Sequence, residues 1–205
     1  MKKITVFIIS LFLAGAPQSA LMSKRSEIET GNFNLNHALE CSWNNNYESV
    51  IKFIKNHEGF NKGQIYLCPA GSKTIGYGHI IREGEVFPES GISKKTADSL
   101  LRADFAKAVK LAGYHTNLRG SRKLAVAHFI YSKGPGAFCR SRLKKAIEND
   151  TDVDKEFAKW CYYTNSKTGK KTFSKVAKNI TDWESRMYHK DDIIYAYAKT
   201  CKKTN

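Results

Sequence analysis

Several features that identify common protein classes are missing from this sequence of 205 residues. Its cysteines and histidines form no CxxC or HxxxH spacing, which excludes the usual zinc-binding patterns. No GK[ST] triplet follows its glycines, so a phosphate-binding loop is excluded as well. After residue 20 no apolar segment is long enough to cross a membrane, and the chain has neither repeats nor low-complexity tracts. The sequence therefore predicts no metal, no cofactor, and a single domain with appendages.

Acidic residues are scarce relative to basic ones. The chain has 34 Lys and Arg against 19 Asp and Glu, a formal net charge of +15 at pH 7. Such a charge attracts anionic polymers, although plain solubility is the alternative explanation. The basic residues are divided among clusters at Arg119–Lys123, Arg140–Lys145 and Lys167–Lys171, and no nucleic-acid-binding motif is present. We therefore expect an acidic polymer other than nucleic acid as a partner.

The N-terminus is typical of a secretory signal peptide. Met1–Lys3 is basic, and the apolar run Ile4–Leu13 is shorter than the ~20 residues that span a bilayer. We expect residues 1–20 to be cleaved, a retained membrane anchor being the alternative, so that the chain meets a membrane only during export. Residues 21–45 are expected to form a loosely ordered lead-in to a folded domain at residues 46–205. The predicted location is secreted or periplasmic.

Five cysteines suit an exported protein, because disulfides persist in oxidising compartments. If Cys68 is set aside, Cys41, Cys139, Cys161 and Cys201 allow three pairings, which the sequence does not distinguish. We favour Cys41 with Cys201 and Cys139 with Cys161. Cys68 is either a thiol or one half of a disulfide.

The segment from Glu58 to His79, EGFNKGQIYLCPAGSKTIGYGH, contains an acid, a thiol and a hydroxyl among glycine-rich turns. Apolar residues at helical spacing precede Glu58 and a glycine follows it, which predicts that a helix ends there. Gln64–Leu67 and Thr74–Tyr77 predict a β-hairpin around the turn at residues 68–73. We therefore expect Glu58 to face a small sheet across a cleft.

An acid beside a group that holds water is the arrangement that hydrolyses a glycosidic bond. Glu58 is the candidate general acid, provided that the cleft excludes water and so favours its protonated form. Since no Asp or Glu occurs between Glu58 and Glu83, Cys68 and Thr74 are the candidates for placing the water. A Cys68 thiolate could act as the base where a cation stabilises it, and Lys73 is the nearest in sequence. The structural alternatives are a solvated Glu58, a bridged Cys68 and an ordinary strand residue at Thr74.

The remaining patterns are interpreted as structural. His79 is expected to be a hydrogen-bonding residue, because one histidine makes no metal site. Helices are predicted from an N-cap at Ser93 to a stop at Gly113, and over Leu124–Tyr131, Arg142–Glu148, Val153–Tyr162, Val176–Tyr188 and Asp191–Thr200. A C-terminal aromatic group is expected mainly in the core, with sugar stacking as the alternative for one or two members: Trp160, Tyr162, Tyr163, Trp183, Tyr188, Tyr195 and Tyr197.

The Glu58 to His79 segment resembles the phage-type lysozymes and endolysins of glycoside hydrolase family 24, whose motif places a Glu, an Asp or Cys, and a Thr in a unit ending TIGYGH. The matching positions here are Glu58, Cys68 and Thr74. One residue more than usual separates the first two, and we assign it to the turn at Asn61–Gln64. A second segment, FIYSKGPGAF at Phe129–Phe138, resembles another family motif.

This resemblance implies an α+β, mainly helical, lysozyme-like fold, with a small β-hairpin lobe packed against a larger helical lobe and the cleft between them. It implies a muramidase that hydrolyses the β-1,4 bond between N-acetylmuramic acid and N-acetylglucosamine in bacterial peptidoglycan, in bacteriolysis or wall remodelling. Glu58 would be the general acid and Thr74 would position water, while Cys68 assists or replaces the base. The protein is expected to be a monomer that is attracted to anionic cell-envelope polymers.

Some positions depart from the family pattern. Ser132 replaces an Asn, Lys133 replaces a small or apolar residue, and Ile180 and Thr181 occupy the place of paired arginines before a Glu. These changes would affect substrate preference and rate more than the fold. The alternative functions are a lytic transglycosylase, a non-catalytic peptidoglycan-binding protein on the same fold, and a basic nucleic-acid-binding protein. The biological setting, which includes prophage endolysin, secretion-associated remodeller and interbacterial toxin, stays open.

Overall fold

The computed structural model describes residues 35–60, 63–68, 71–165 and 168–192, with side chains from residue 42 onward. Residues Leu39–Asn205 form one compact unit, and the other unit is Met1–Ala38. The signal peptide and the Cys41 to Cys201 pairing lie outside the described residues. The first described helix, α1 (Leu35–Glu58), includes the end of the segment that we expected to be loosely ordered.

Helix α1 ends at Glu58, as its apolar spacing predicts. Val50, Ile51 and Ile54 are at most 1% exposed and pack into the core, where each buried aliphatic side chain contributes about 1.5–3 kcal/mol. The N–H of Gly59 donates to the Lys55 carbonyl at 3.1 Å, and its φ of +71° turns the chain out of the helix. The helix therefore carries Glu58 to the edge of the core.

A three-stranded antiparallel sheet follows, with strands β1 (Tyr66–Leu67), β2 (Lys73–Ile75) and β3 (His79–Ile80) in that order. The predicted hairpin is β1 and β2, and its register pairs Tyr66 with Thr74. Strand β3 lies on the other side of β2 and pairs Ile80 with Thr74. We had not predicted this third strand, because two residues give no periodicity to detect.

Six further helices follow in the described part of the chain: α2 (Lys94–His115), α3 (Gly120–Lys133), α4 (Pro135–Cys139), α5 (Arg142–Glu148), α6 (Val153–Ala158) and α7 (Lys175–Tyr188). The predicted N-cap of α2 is confirmed, since the Ser93 hydroxyl accepts from the Thr96 N–H at 3.1 Å. Such a cap stabilises a helix by about 1 kcal/mol. The helix continues two residues past Gly113 to His115, because a glycine weakens a helix without ending it.

Helix α3 is the central helix of the core, as predicted. It is buried at every position from Leu124 to Ile130. Gly134 ends it with a φ of +84°, and its N–H donates to the Ile130 carbonyl at 2.8 Å. Pro135 then starts α4, where its fixed φ and missing N–H suit the first helical position.

The segment predicted as one helix over Val153–Tyr162 is divided into three elements. Helix α6 ends at Ala158, a 3-10 turn covers Lys159–Cys161, and strand β4 (Tyr162–Thr164) pairs antiparallel with β5 (Lys171–Phe173). Tyrosine, threonine and phenylalanine favour strands, so the local propensity competes with the helical spacing. No strand was predicted in this part of the chain.

The aromatic residues of this half are only partly in the core. Tyr188 is 5% exposed, and Trp160 and Trp183 pack against the core from its edge. Tyr162 and Tyr163 are 54% and 53% exposed, so the core interpretation was wrong for these two. Tyr195 and Tyr197, and most of the predicted helix Asp191–Thr200, lie outside the described residues.

Cys139 and Cys161 are not joined, so this predicted pairing was wrong. The exposed Cys139 sulfur lies 3.5 Å from Nε2 of His115 on α2. The buried Cys161 thiol donates to the Ala158 carbonyl at 2.9 Å, inside its own helical turn. The two side chains therefore have different surroundings.

The predicted fold class is confirmed: the chain is mainly helical, with small antiparallel sheets. Helix α3 packs against both α2 and α7 to form the larger helical part. Among the described helices, none has the length and apolar character needed to span a membrane.

Candidate active site

Glu58 lies where helix α1 meets the three-stranded sheet. Its side chain is exposed, and it faces Gly78 in the turn between β2 and β3. A methyl group at Gly78 would lie 3.5 Å from Glu58 Oε2. The glycine therefore leaves the carboxyl group accessible from the sheet side. This arrangement confirms the expectation that Glu58 faces a small sheet.

Cys68 and Thr74 belong to the hairpin that Glu58 faces. Cys68 is half-buried in the turn after β1, where its N–H donates to the Ser72 carbonyl at 3.0 Å. The Gly71 N–H in turn donates to the Cys68 carbonyl at 2.8 Å. These two backbone bonds hold the thiol-bearing residue at the end of the hairpin.

Thr74 sits in the middle strand and is 2% exposed. Its hydroxyl donates to the Ser72 carbonyl at 3.1 Å, so its proton is used within the hairpin. A threonine oxygen can still accept a hydrogen bond after donating one. Thr74 would therefore hold a water molecule by accepting a hydrogen bond from it.

Lys73 does not share the face of Thr74. Neighbouring residues in a strand point to opposite faces, and Lys73 pairs with Leu67, which is 69% exposed. The lysine therefore lies on the solvent face of the hairpin.

Tyr66 connects the acid and the thiol electrostatically. Burial raises the pKa of its phenol, and the negative charges of Glu58 and Cys68 raise it further. The phenol keeps its proton at neutral pH and can act as a donor beside Glu58.

Tyr131 supports the same region from the central helix. Its hydroxyl donates to the Tyr77 carbonyl at 3.2 Å, beside Gly78. Burial raises its pKa, and the negative charges of Glu58 and Asp104 add to the effect. The hydroxyl therefore remains a donor and ties α3 to the turn that faces Glu58.

His79 confirms its predicted structural role. The 4% exposed imidazole lies with Nδ1 2.5 Å from Asp104 on α2 and Nε2 3.0 Å from Glu85. Burial raises the pKa of Asp104, but hydrogen bonds from His79 and Lys107 outweigh burial and hold it below its ordinary value. The Arg82 N–H and His79 lower the pKa of Glu85 in the same way. The imidazole thus joins β3 to α2.

Ion pairs fix α1 against α2 before the chain reaches Glu58. Arg102 binds both oxygens of Glu48, at 2.6 and 2.8 Å, and also reaches Asp98 at 2.8 Å. Lys55 pairs with Asp98 as well. The Lys55 ammonium lowers the pKa of Asp98 more than burial raises it. These ion pairs therefore hold the C-terminal part of α1 against α2.

The residues that depart from the family pattern lie far from Glu58 in the sequence, and their surroundings differ from one another. Ser132 is exposed and donates to the Phe129 carbonyl, and Lys133 is exposed at the end of α3. Ile180 and Thr181 are 8% and 2% exposed on α7. Arginines at these two positions would be buried in this structure.

Glu184 is buried with a single described partner. Its Oε1 lies 2.7 Å from Nδ1 of His128, and its other oxygen has no hydrogen-bond partner among the described residues. The pair joins α7 to α3. Phe53 and Trp183 surround it with rings stacked 4.0 Å apart.

Glu58 thus lies beside Gly78, the charges of Glu58 and Cys68 both act on Tyr66, and Thr74 is buried in the middle strand. Sequence reasoning missed Tyr66, Gly78 and the Tyr131 contact. Gly78 and Tyr131 lie inside the two motifs TIGYGH and FIYSKGPGAF, but the sequence does not show that these motifs touch. Among the described residues no group of three or more His, Cys, Asp or Glu side chains could hold a metal ion.

Comparison with known proteins agrees with this geometry. The model of the family described as phage lysozyme matches residues 55–183, which include the helix end, the sheet and α2 to α7 as far as Trp183. An endolysin of Acyrthosiphon pisum secondary endosymbiont phage 1 is 29% identical over 119 residues, covering 55% of this chain and 77% of that protein.

Solved structures share the fold. The endolysin from Escherichia coli O157:H7 phage FAHEc1 superposes with a TM-score of 0.58 at 26% identity, over 67% of this chain and 89% of that one. The muramidase domain of SpmX from Asticaccaulis excentricus gives a TM-score of 0.59 at 20% identity, over 67% of this chain and 92% of that one. At that lower identity the likeness shows the fold alone.

The matched residues make up more than half of the chain and contain both the Glu58 to His79 segment and the central helix. The structural neighbours have the same mainly helical architecture with a small sheet. The chain therefore belongs to the phage lysozyme family, a group of glycosidase-type hydrolases that degrade peptidoglycan.

Proposed function

We propose that this protein is a muramidase that hydrolyses the β-1,4 bond between N-acetylmuramic acid and N-acetylglucosamine, with Glu58 as the general acid. The observation that carries the proposal is the position of Glu58, exposed at the end of α1 and facing the glycine at residue 78. A carboxyl group in this position can reach a sugar chain that lies against the sheet. No other carboxylate occurs in the sequence between residues 58 and 83.

In the proposed reaction the Glu58 carboxyl group gives its proton to the glycosidic oxygen as the bond to the anomeric carbon breaks. A water molecule attacks that carbon from the opposite face, and its proton passes to a base. The glycan that covers Glu58 removes water from it, which favours the protonated form before the reaction. The products are a new reducing end and a free hydroxyl on the leaving sugar.

Cys68 and Thr74 are proposed to act on the water. Thr74 accepts a hydrogen bond from it, since its own proton is engaged with the Ser72 carbonyl. Cys68 assists or replaces the base, and its half-buried position on the hairpin near Tyr66 supports this role. Because Thr74 is 2% exposed, the hairpin must shift for water to reach its oxygen.

A lytic transglycosylase is the second candidate, and a specific observation favours it. The hairpin supplies no second carboxylate. Thr74, the hydroxyl residue that matches the family motif, is buried. A transglycosylase needs only the acid, because the 6-hydroxyl of the muramic acid residue replaces water. It would release 1,6-anhydro ends in place of reducing ends.

The proposed setting is outside the cytoplasm, in the periplasm or the medium, where the protein acts as a monomer. The basic start and the apolar run of residues 1–20 support export. The excess of Lys and Arg over Asp and Glu supports attraction to anionic envelope polymers. Nucleic acid is not the proposed partner, since no motif for it is present.

The test is the release of muropeptides from purified peptidoglycan by the wild type and by Glu58→Gln, with the product ends analysed by mass spectrometry. We expect reducing ends from the wild type and a loss of at least about 10³-fold in Glu58→Gln, the scale on which catalytic acids act. Glu83→Gln is the matched control, because Glu83 is an exposed Glu of the same region without a described contact. It should retain wild-type turnover.

The other outcomes separate the alternatives. Anhydro ends would establish the transglycosylase, and binding without any product would leave a non-catalytic wall-binding protein. Cys68→Ser and Thr74→Val test the two water-handling residues separately. Replacing the residue that acts as base should lower kcat more than replacing the other. Equal turnover in Glu58→Gln and the wild type would overturn the assignment of the acid.

A further inference from the structure

A surface cavity lies away from the residues that surround Glu58. It has a volume of about 750 Å³ and is formed by the junction of α4 with α5, the end of α6, the 3-10 turn and the β4–β5 hairpin. No residue of α1 or of the three-stranded sheet lines it. Its lining combines cationic side chains with two aromatic rings.

The cationic groups come from separate elements. Arg140 ends α4, Arg142 begins α5, and Lys171 lies in β5. No described carboxylate pairs with any of the three. The lining carboxylate, Glu156, is occupied by Lys159 at 2.5 Å. The cavity therefore presents uncompensated positive charge from three directions.

Arg140 is held by the turn that precedes it. A methyl group at Gly136 would lie 3.3 Å from Nη1 of Arg140, so the guanidinium group rests against this glycine of α4. A larger residue at this position would displace it. The guanidinium group is thus placed at the cavity before any ligand arrives, which lowers the entropy lost on binding.

Two aromatic rings complete the lining. Trp160 is anchored edge-to-face on the core residue Phe129, with ring centres 4.8 Å apart and planes at 88°. Tyr162 stands on the β4–β5 hairpin and is 54% exposed, braced by Phe173 at 5.7 Å. The exposed ring of Tyr162 can pack against the apolar face of a sugar, and basic residues lie next to it in the cavity lining.

We propose that this cavity binds a phosphate-bearing sugar, such as those of anionic cell-envelope polymers. The sugar ring packs on Trp160 or Tyr162, and the phosphate meets Arg140, Arg142 and Lys171. A phosphate presents three acceptor oxygens in a tetrahedral arrangement, which suits cations that approach from different elements, whereas a planar carboxylate is satisfied by one guanidinium group. The site would hold the protein on the envelope while Glu58 acts elsewhere, and it goes beyond the proposed muramidase function.

The test measures binding of glucose 1-phosphate by ¹⁵N NMR, following the Trp160 indole signal. It uses the Glu58→Gln protein, so that the result does not depend on catalysis. Glucose, inorganic phosphate, N-acetylmuramic acid and adenosine monophosphate are titrated in parallel. We expect glucose 1-phosphate to shift the Trp160 signal at lower concentrations than any of these four probes.

The variant Arg140→Gln with Arg142→Gln should weaken this binding by about tenfold or more, because charge-assisted hydrogen bonds to phosphate are lost. Arg119→Gln with Arg186→Gln is the matched control, since it removes two exposed arginines outside the cavity. It should leave binding unchanged within about twofold. Circular dichroism and melting curves verify that both double variants fold.

Several results would overturn the proposal. Equal loss in both double variants would show general charge attraction, and an unchanged affinity in the cavity variant would place binding elsewhere. Equal or tighter binding of N-acetylmuramic acid would show a carboxylate site, and tighter binding of adenosine monophosphate would show a nucleotide site. None of these outcomes bears on whether Glu58 is the catalytic acid.

Discussion

At the scale of single residues, Gly78 decides how close the turn between β2 and β3 comes to Glu58, the proposed general acid. Its φ of +90° is costly for other residues, and a methyl group there would touch Glu58 Oε2. We expect Gly78→Ala to lose about 1–2 kcal/mol of stability from backbone strain and to lower kcat by tenfold or more. The additional loss of kcat arises because the methyl group occupies space beside the carboxyl group. Muropeptide release and urea unfolding measure the two effects.

Gly84→Ala is the control for this prediction. Gly84 has a similar φ of +84°, but no atom lies within 4 Å of where its methyl group would be. The two variants should therefore lose similar stability while only Gly78→Ala loses activity. Equal activity in both would show that Gly78 serves the turn and not the site.

Asp104 gives a pH-dependent prediction at the same scale. Burial opposes ionisation, but the hydrogen bonds from His79 and Lys107 hold its pKa below the ordinary 3.8. A depressed folded-state pKa stabilises the protein above the ordinary value, and this stability is lost as the pH falls through 3.8 towards the folded-state pKa. We expect Asp104→Asn to cost about 1–2 kcal/mol at pH 7 and distinctly less at pH 3. Urea unfolding at both pH values is the measurement.

The exposed residue Glu89 provides the comparison, since it has no described contact. Glu89→Gln should change the free energy of unfolding by no more than about 0.5 kcal/mol at either pH. An equal cost of Asp104→Asn at pH 7 and pH 3 would contradict the assignment of this ion pair to His79.

At the scale of secondary-structure elements, one hydroxyl group connects the central helix to the sheet. Tyr131 on α3 donates to the Tyr77 carbonyl at 3.2 Å, next to the glycine that faces Glu58. Tyr131→Phe retains the ring contact with Phe105 and removes only this bond. We expect a stability loss of about 1 kcal/mol and a several-fold fall in kcat, since the turn loses its anchor to the helix.

The split between binding and turnover distinguishes this role from a purely structural one. If the turn positions Glu58, Tyr131→Phe should lower kcat. The same substitution in the Glu58→Gln protein should leave its affinity for peptidoglycan unchanged. A variant that loses stability but keeps kcat would show that the hydrogen bond supports the fold alone.

At the scale of the whole molecule, the net positive charge predicts attraction to the proposed anionic envelope polymers. With 34 basic against 19 acidic residues, the protein should bind anionic walls through long-range attraction. We expect the fraction of Glu58→Gln protein that pellets with peptidoglycan sacculi to fall several-fold between about 0.02 and 0.5 M salt, because the screening length shortens over this range. Uncharged chitin is the control, and binding to it should depend little on salt. Salt-independent pelleting with sacculi would show that contacts in the site dominate.

Much of the local structure could be predicted from the sequence. The end of α1 at Glu58 follows from apolar spacing and a glycine, and the N-cap at Ser93 and the stop at Gly134 follow from residue chemistry. The hairpin of β1 and β2 was also predicted, together with the mainly helical fold. The β4–β5 hairpin was not, because helical spacing and strand propensity compete there and the fold decides between them.

The sequence by itself determined which residues end helices, cap them and turn the chain, because these outcomes depend on neighbours a few positions away. Only the tertiary structure decided that Tyr131 reaches Tyr77, that His79 meets Asp104, and that Cys139 and Cys161 stay apart. These pairs are 22 to 54 positions apart in the chain, and packing around the buried α3 sets their distances. Local sequence patterns carry no information about such distances, since many chain paths share the same helices and turns.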